Sequence, residues 1–326
     1  VAGGLFVLPS LLLFWLLGWL YMRLGQLPSL QAVLWGIKPV VVALVLAAAF
    51  RLGKKTLKNP YLWAISGASL VAMQLGLDFA LILALAAGVG IALSHWQPQL
   101  FVGGGHGTNN KNYGAALIDD HSPIPPHAQW TKKSTFSVLF VGVTLWLVAI
   151  VLLVQIFGVD SLLTQIGVFF SKAALLTFGG AYAVLPYVNQ AAVIDYQWLT
   201  QAQMMDGLAL GESTPGPLIM IVAFVGFVAG WQQTVFADPL WSGMLAASVA
   251  TFFTFLPSFI FIFLGAPLVE ASRNMPKLTA PLTAISAAVV GVIVNLGLFF
   301  AQHVFWPHGL TQSVDLMAIS LTIASL

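Results

Sequence analysis

The sequence of 326 residues contains no cysteine and very little charge. The absence of cysteine excludes disulfides, zinc sites built on thiolates and cysteine nucleophiles. Only 7% of the residues are Asp, Glu, Lys or Arg, against about 25% in a soluble domain. The 12 basic residues are too sparse for a nucleic-acid surface, and the net charge of +2 points to no particular partner.

The sequence consists largely of long apolar runs. The sequence is 59% hydrophobic with a mean hydropathy of +0.94, and a helix needs about 20 mostly apolar residues to span a bilayer. We therefore predict an all-α polytopic membrane protein, embedded in the lipid bilayer. The unbroken apolar runs are Val1–Leu24, Pro28–Phe50, Tyr61–Leu75, Phe79–Leu93, Thr135–Phe157, Leu240–Ala266, Leu278–Gln302 and Asp315–Leu326.

A polar stretch divides the chain into three parts. Residues 95–134 contain Gly103-Gly104-Gly105 and Pro123-Ile124-Pro125-Pro126, clusters that mark loops. We predict that residues 1–94 are the remainder of a first half, 95–134 a cytoplasmic linker and 135–326 a second half. Because the chain begins and ends inside apolar runs, we expect pieces to be missing at both ends.

The two halves repeat each other. Leu8-Pro9-Ser10 matches Leu256-Pro257-Ser258 at an offset of 248 residues, and Pro28 and Pro276 keep that offset. The basic loop Arg51–Lys58 is predicted to be cytoplasmic by the positive-inside rule. Counting crossings from this loop gives the two copies opposite orientations. An inverted repeat with discontinuous helices is typical of secondary transporters.

Two further apolar segments are interrupted by helix-breaking residues. The first break is Phe178-Gly179-Gly180, and the second is Pro215-Gly216-Pro217. Irregular backbone at membrane depth survives only inside protein or beside a watery cavity, so two breaks predict a binding site or pathway. For the Gly-Gly pair, close helix packing is an equal alternative. A first copy of this pair is expected upstream of Val1.

Lys172 lies in an apolar stretch six residues before the first break. A lysine at the centre of a spanning helix costs about 2.5–3.5 kcal/mol, so it needs a partner, water or a function. We predict that it anchors an anion, with snorkelling to the interface as the alternative. After Thr177 and the glycines, the N–H groups of the next half-helix would also attract an anion.

The second break carries capping residues and a carboxylate. Ser213 and Thr214 suit an N-cap, and Pro215 and Pro217 suit a first turn, so Leu218–Gly230 is predicted to be a half-helix that opens at the break. Glu212 would repel an anion unless it is protonated. It pairs with Lys172 in the empty state, exchanges a proton during transport or forms a structural ion pair, and the sequence leaves these alternatives open.

Other polar residues carry weaker signals. Tyr182 is a candidate hydrogen-bond donor, and Asn295 either lines the site or joins helices. For Lys38, a role in a pathway and snorkelling to the interface are equal alternatives. Asp195 and Asp206 flank a polar segment that we expect to be interfacial, with both carboxylates solvated. The linker histidines, which lack metal-binding spacing, predict neither a metal site nor a cofactor: His106, His121 and His127.

At these residues the chain resembles the chromate ion transporter family. The resemblance rests on Phe178-Gly179-Gly180, Leu185-Pro186, Trp198 and Pro215-Gly216-Pro217, followed by Gly226. It implies a bacterial inner-membrane exporter of chromate made of two homologous halves in opposite orientation. It also implies that the oxyanion path contains Lys172, Thr177, Gly179, Gly180, Pro215, Gly216 and Pro217.

The resulting hypothesis is a secondary transporter that exports chromate, driven by the membrane potential or by a proton. The alternative is a carrier for sulfate or another solute, with Glu212 as the proton-coupling residue. An intramembrane enzyme or a scaffold is disfavoured, because no acid, base and nucleophile share a common depth and a scaffold needs no lysine in mid-helix. A homodimer is compatible with such a fold.

Overall fold

A computed structural model describes residues 2–25, 27–97, 132–177, 181–272, 276–307 and 313–325. Within these ranges the chain forms twelve α-helices and no strand, which confirms the predicted all-α class. The helices are α1 Ala2–Leu24, α2 Pro28–Thr56, α3 Pro60–Gln74, α4 Phe79–Trp96, α5 Lys132–Phe157, α6 Leu162–Leu176, α7 Ala181–Asn189, α8 Gln201–Ser213, α9 Ile221–Gln232, α10 Pro239–Ser272, α11 Pro276–Phe305 and α12 Leu316–Ser325. Most of the predicted linker and all of the first break, Phe178-Gly179-Gly180, lie outside the described residues.

Six of the described helices are long and apolar enough to cross a membrane, which confirms a multi-pass membrane protein. They are α1, α2, α4, α5, α10 and α11. α5 is the most lipid-like of them, because only 6% of its most apolar window is buried inside the protein. The large exposed side chains along α5 therefore have lipid as their natural surroundings.

The prolines of the predicted repeat fall at matching points of their helices. α2 begins at Pro28 and α11 begins at Pro276, while Pro9 lies within α1 and Pro257 within α10. α11 packs against α3, and α2 packs against α12, the helix that the common offset assigns as the counterpart of α3. The inverted repeat as a whole stays a prediction.

α1 and α10 run antiparallel and contact each other. A Cβ at Gly3 would lie 2.8 Å from the ring of Phe259, whereas a Cβ at Gly18 would lie 2.6 Å from the ring of Phe227. Phe227 in turn faces Gly243, sixteen residues before Phe259 on α10. Residue numbers on α10 therefore decrease along the contact as those on α1 increase, which is the pattern of antiparallel helices.

α8 and α9 form a hairpin whose tip is the second break. Gly211 on α8 faces Ile221, and Gly207 lies directly against the ring of Phe224, so the two helices run antiparallel. At the open end of the hairpin the guanidinium of Arg23, near the end of α1, lies 5.6 Å from the ring centre of Trp231. The start of α8 also lies at this end of α1, where Asp206 contacts Tyr21, so the hairpin begins and ends beside the same end of α1, and we call it re-entrant for this reason.

α6 and α7 meet in a similar way around the first break. The ring centre of Phe169 on α6 lies 5.0 Å from that of Tyr187 on α7. After α7 the chain continues as a π-helical turn, Gln190–Asp195, and reaches Trp198, whose ring packs against Phe169 and Phe170. Trp198 is 1% exposed, so this aromatic cluster fixes the return of the chain toward α8.

The prediction of an interfacial segment at Asp195–Asp206 is wrong for its second part. Asp195 is exposed, as predicted, but α8 already begins at Gln201, where Thr200 and Gln203 form a reciprocal capping box. Asp206 is 6% exposed rather than solvated. The cap starts the helix early because it satisfies two of its first free N–H groups, and the helix then carries Asp206 into the protein.

Candidate functional site

The second break passes directly in front of α1. Between the end of α8 at Ser213 and the start of the next helical turn at Leu218, Gly216 adopts a φ of +143°. A Cβ at this position would lie 2.6 Å from Oγ of Ser10, which is buried. Glycine is therefore required both by the backbone conformation and by the close approach to α1. The Leu-Pro-Ser motif of the first half and the Pro-Gly-Pro motif of the second half meet here.

The predicted half-helix after the break is present, but its cap differs from the prediction. The chain forms one 3-10 turn, Leu218–Met220, and continues as α9. Pro217 occupies the N-cap position without a side-chain hydrogen bond. Ser213 donates back to the Ala209 carbonyl and Thr214 donates back to the Gly211 carbonyl, so both hydroxyls close the end of α8 instead.

Absence of a side-chain cap leaves the start of this half-helix open toward the break. The Met220 N–H donates to the Pro217 carbonyl, and Pro215 and Pro217 have no N–H to offer. The positive end of the helix dipole therefore faces the region beside Gly216, which is exposed. Such an end attracts an anion when a second positive group is near.

A hydrogen bond connects the helix that follows the first break to the helix that precedes the second. The hydroxyl of Tyr182 on α7 donates to Oε1 of Glu212 on α8 over 2.6 Å. Glu212 is half-buried, and in the part of the chain that the structure describes it forms no ion pair with Lys172. The structure therefore shows a carboxyl group that is held by Tyr182, a partner that was not among the alternatives for Glu212.

Lys172 lies on an exposed face of α6, one turn before the helix ends at Leu176. Its neighbours Ser171 and Ala173 are buried against the rest of the protein. Thr177 follows as the C-cap, and its hydroxyl donates to the Ala173 carbonyl over 2.6 Å. Lys172 is thus available to a ligand on the outer side of α6.

Asn295 lies in the wall of a cavity between α11 and α7. It is half-buried on α11 and lines this cavity of about 530 Å³ together with Gln74, Asn189, Gln190 and Gln302. The lining of this cavity includes neither Lys172 nor any residue of the second break. The placement of Asn295 in the transport path stays a prediction.

Sequence reasoning missed a charged network at the open end of the re-entrant hairpin. Nζ of Lys38 on α2 lies 2.9 Å from Oδ1 of Asp206 on α8. The hydroxyl of Tyr21 on α1 donates to Oδ2 of the same carboxylate, also over 2.9 Å. The signal was present in the sequence, since Lys38 lies within an apolar run and a lysine there needs a partner.

Among the described residues no three His, Asp or Glu side chains come together as metal ligands. The linker histidines lie outside the described residues. The chemistry available beside the second break is therefore that of a helix N-terminus, hydroxyl groups and a tyrosine-held carboxyl group, whereas Lys172 lies on the exposed face of α6. These groups can hold an anion by charge and by hydrogen bonds.

Comparisons with known proteins give the relatives of the chain. A family model described as "Chromate transporter" matches residues 1–92 and 164–326. The chain is 32% identical over 307 residues to a chromate transport protein of Pseudomonas aeruginosa, and 30% identical over 304 residues to one of Cupriavidus metallidurans, covering 93% of this chain in both cases. A probable chromate transport protein of Synechococcus elongatus is 27% identical over 301 residues, covering 90%.

The chain spans only part of these relatives, namely 63% of the Pseudomonas protein and 64% of each of the other two. No solved structure matches the chain significantly. The family match omits residues 93–163, which contain the linker and α5. Both predicted break regions lie within the matched residues.

Proposed function

The chain belongs to the chromate transporter family, and we propose that it is part of a secondary transporter that exports chromate across the bacterial inner membrane. The relatives named as chromate transport proteins support the substrate, and the multi-pass helices support the location in a membrane. The observation that carries the proposal is the second break, where a helix opens beside Gly216 at the tip of a re-entrant hairpin.

We place the oxyanion at the two breaks. Lys172 supplies a full positive charge, and the open end of the turn that begins at Leu218 supplies N–H groups and a partial positive charge. Thr177, Phe178, Gly179, Gly180 and the residues Ser213–Pro217 form the proposed walls of this path. Glycine allows the backbone to approach a tetrahedral anion closely, which a larger residue would prevent.

The membrane potential is the proposed driving force. Chromate carries two negative charges, and an inside-negative potential favours its exit by about 2.3 kcal/mol per charge per 100 mV. The sequence contains no ATP-binding motif, so a source of energy other than ATP suits it. Proton coupling through Glu212 is the second possible source of energy, since the Tyr182 hydroxyl holds this carboxyl group beside the break.

Sulfate is the alternative substrate, because it is also a tetrahedral dianion and the same groups would bind it. The experiment measures uptake and release of radiolabelled chromate and sulfate in proteoliposomes, under an imposed potential of either sign. The whole protein is compared with its Lys172→Ala variant and with Lys55→Ala, which removes another exposed lysine. Both substitutions are at the surface of the described structure and should change stability by less than about 0.5 kcal/mol.

We expect chromate flux toward the positive side in the wild type and in Lys55→Ala, and loss of flux in Lys172→Ala. If the wild type transports sulfate faster than chromate, sulfate would be the substrate and the proposed site would stand. Equal flux in Lys172→Ala and the wild type would remove this lysine from the path. No flux of either anion would contradict the proposed function. If the wild type moves one proton with each anion and Glu212→Gln does not, the proton coupling would be assigned to Glu212.

A further inference from the structure

A second cavity lies at the open end of the re-entrant hairpin, beside the network of Lys38, Asp206 and Tyr21. It has a volume of about 580 Å³ and is bounded by α1, α2 and α8. All three residues of the network line it, together with Trp35, Thr200 and Gln203. This volume lies within the range of about 300–1,000 Å³ that small-molecule sites occupy.

Among the described residues that line this cavity, Lys38 carries the only full positive charge. Its side chain is 23% exposed, whereas that of its partner Asp206 is 9% exposed. An ammonium group has three donors, and Asp206 is its one ion-pair partner among the described residues. Lys38 is the more exposed of the two and can therefore turn toward a ligand in the cavity, whose wall also contains the Asp206 carboxylate.

The start of α8 adds to the positive potential. Thr200 caps this helix, and its first turn with Gln203 forms part of the cavity wall. The helix has 13 residues, so its dipole places a partial positive charge at this end. Lys38 and the first turn of α8 thus face the same space from two different helices.

Asp206 occupies the position that an external anion would take on Lys38. It is buried, and its second oxygen is held by Tyr21 over 2.9 Å, so the carboxylate keeps a hydrogen bond when Lys38 turns away. A buried ion pair of this kind is weak evidence for a role in stability, because apolar residues of similar size often replace such pairs without loss. A role in binding accounts for the lysine, the carboxylate and the cavity together.

We propose that this cavity is a second station for the transported oxyanion, in which the anion displaces the Asp206 carboxylate from Lys38. This inference rests on the proposed function. The station lies on the same helices as the second break: Gly216 approaches Ser10, and Tyr21 is eleven residues further along α1. At the helical rise this separation is about 16 Å, so the two stations follow each other along α1 and α8.

The test measures equilibrium binding of radiolabelled chromate to the whole purified protein. Asp206→Asn removes the competing charge, and we expect it to bind chromate at a concentration lower by about tenfold or more. The double variant Lys38→Met with Asp206→Leu removes both charges without leaving either one unpaired. It should lose one of the two bound anions per chain. Lys55→Met, on the same helix, should bind like the wild type.

Trp35 reports the place of binding, since it lines the cavity. Chromate absorbs in the near ultraviolet, where tryptophan emits, so a bound chromate quenches a neighbouring indole. The part of the quenching that disappears in Trp35→Phe is the signal of this station. We expect that part to be lost in the double variant and to occur at lower chromate concentration in Asp206→Asn.

Unchanged stoichiometry and unchanged Trp35 quenching in the folded double variant would overturn the proposal and leave the pair with a structural role. If Asp206→Asn fails to fold, the double variant alone decides. Chromate flux in proteoliposomes separates the two levels of inference. Flux in the wild type without a Trp35 signal contradicts only the second station, whereas absence of both flux and binding contradicts the proposed function itself.

Discussion

The hydroxyl of Tyr182 lies 2.6 Å from Oε1 of Glu212 and donates a hydrogen bond to it. The two residues are thirty positions apart, and each belongs to a helix that adjoins one of the breaks. One contact therefore ties the hairpin of α6 and α7 to the hairpin of α8 and α9. A motion of one hairpin during transport has to break this bond or carry the other hairpin with it.

Tyr182→Phe removes the donor and leaves the ring. A hydrogen bond contributes about 0.5–1.5 kcal/mol, so we expect chromate flux to fall by about twofold to tenfold. The measurement is flux in proteoliposomes at equal protein content. Tyr61→Phe, which changes an exposed tyrosine on α3, serves as the control. Equal flux in the two variants would show that the contact between Tyr182 and Glu212 does not limit transport.

Gly216→Ala should disrupt the second break for two separate reasons. The new Cβ would lie 2.6 Å from Oγ of Ser10, and an L-residue is strained at a φ of +143°. Local backbone strain of this kind costs about 1–3 kcal/mol, which should appear as a lower melting temperature and as loss of flux. Gly36→Ala is the control, because a Cβ there meets no atom within 4 Å.

A second substitution separates these two causes. Ser10→Ala removes the oxygen that the Cβ would contact but does not change the backbone at Gly216. The double variant Gly216→Ala with Ser10→Ala should therefore melt at a temperature between that of Gly216→Ala and that of the wild type. Complete recovery would assign the whole effect to the steric contact, and no recovery would assign it to the backbone conformation.

The architecture was largely predictable from local signals. Proline has no N–H and fixes φ, so Pro28 and Pro276 marked the starts of α2 and α11, and Pro215 and Pro217 marked the second break. Apolar length alone predicted the spanning helices. These signals act within a few residues of the chain, which is why one sequence is enough to interpret them.

Pairing between distant side chains was not predictable in the same way. Tyr21 and Asp206 are 185 positions apart, and nothing in either neighbourhood specifies the other. Asp206 was predicted to be solvated because polar residues surround it, but the capping box at Thr200 starts α8 early and buries it. Contacts of this kind depend on how helices pack, and packing is a property of the whole molecule.

Asp78 is the N-cap of α4, and its removal should affect stability without affecting transport. Its Oδ1 accepts from the N–H groups of Ala80 over 2.8 Å and Leu81 over 3.2 Å. Loss of such a cap costs about 0.5–2 kcal/mol, so Asp78→Ala should lower the melting temperature. Asp78→Asn retains a side-chain acceptor, so its melting temperature should stay close to that of the wild type. A fall in chromate flux per folded molecule would instead give this carboxylate a place in the transport path.

Gly291→Ala should weaken the contact between α11 and α3. A Cβ at Gly291 would run into the carbonyl oxygen of Ser66, and this neighbour is backbone that cannot rotate away. Overpacking of a core costs about 1–3 kcal/mol, and separation of two helices lies at the upper end of that range. The expected result is a clear fall in melting temperature in detergent.

Gly67→Ala is the matched control for Gly291→Ala. Gly67 lies on α3 next to Ser66, but a Cβ there meets nothing within 4 Å, so the substitution should be neutral or should stabilise the helix. Equal melting temperatures for the two variants would mean that α3 and α11 separate without cost. Because α3 is too short to span the membrane alone, its position depends on this contact, and a neutral Gly291→Ala would place the stabilisation of α3 elsewhere.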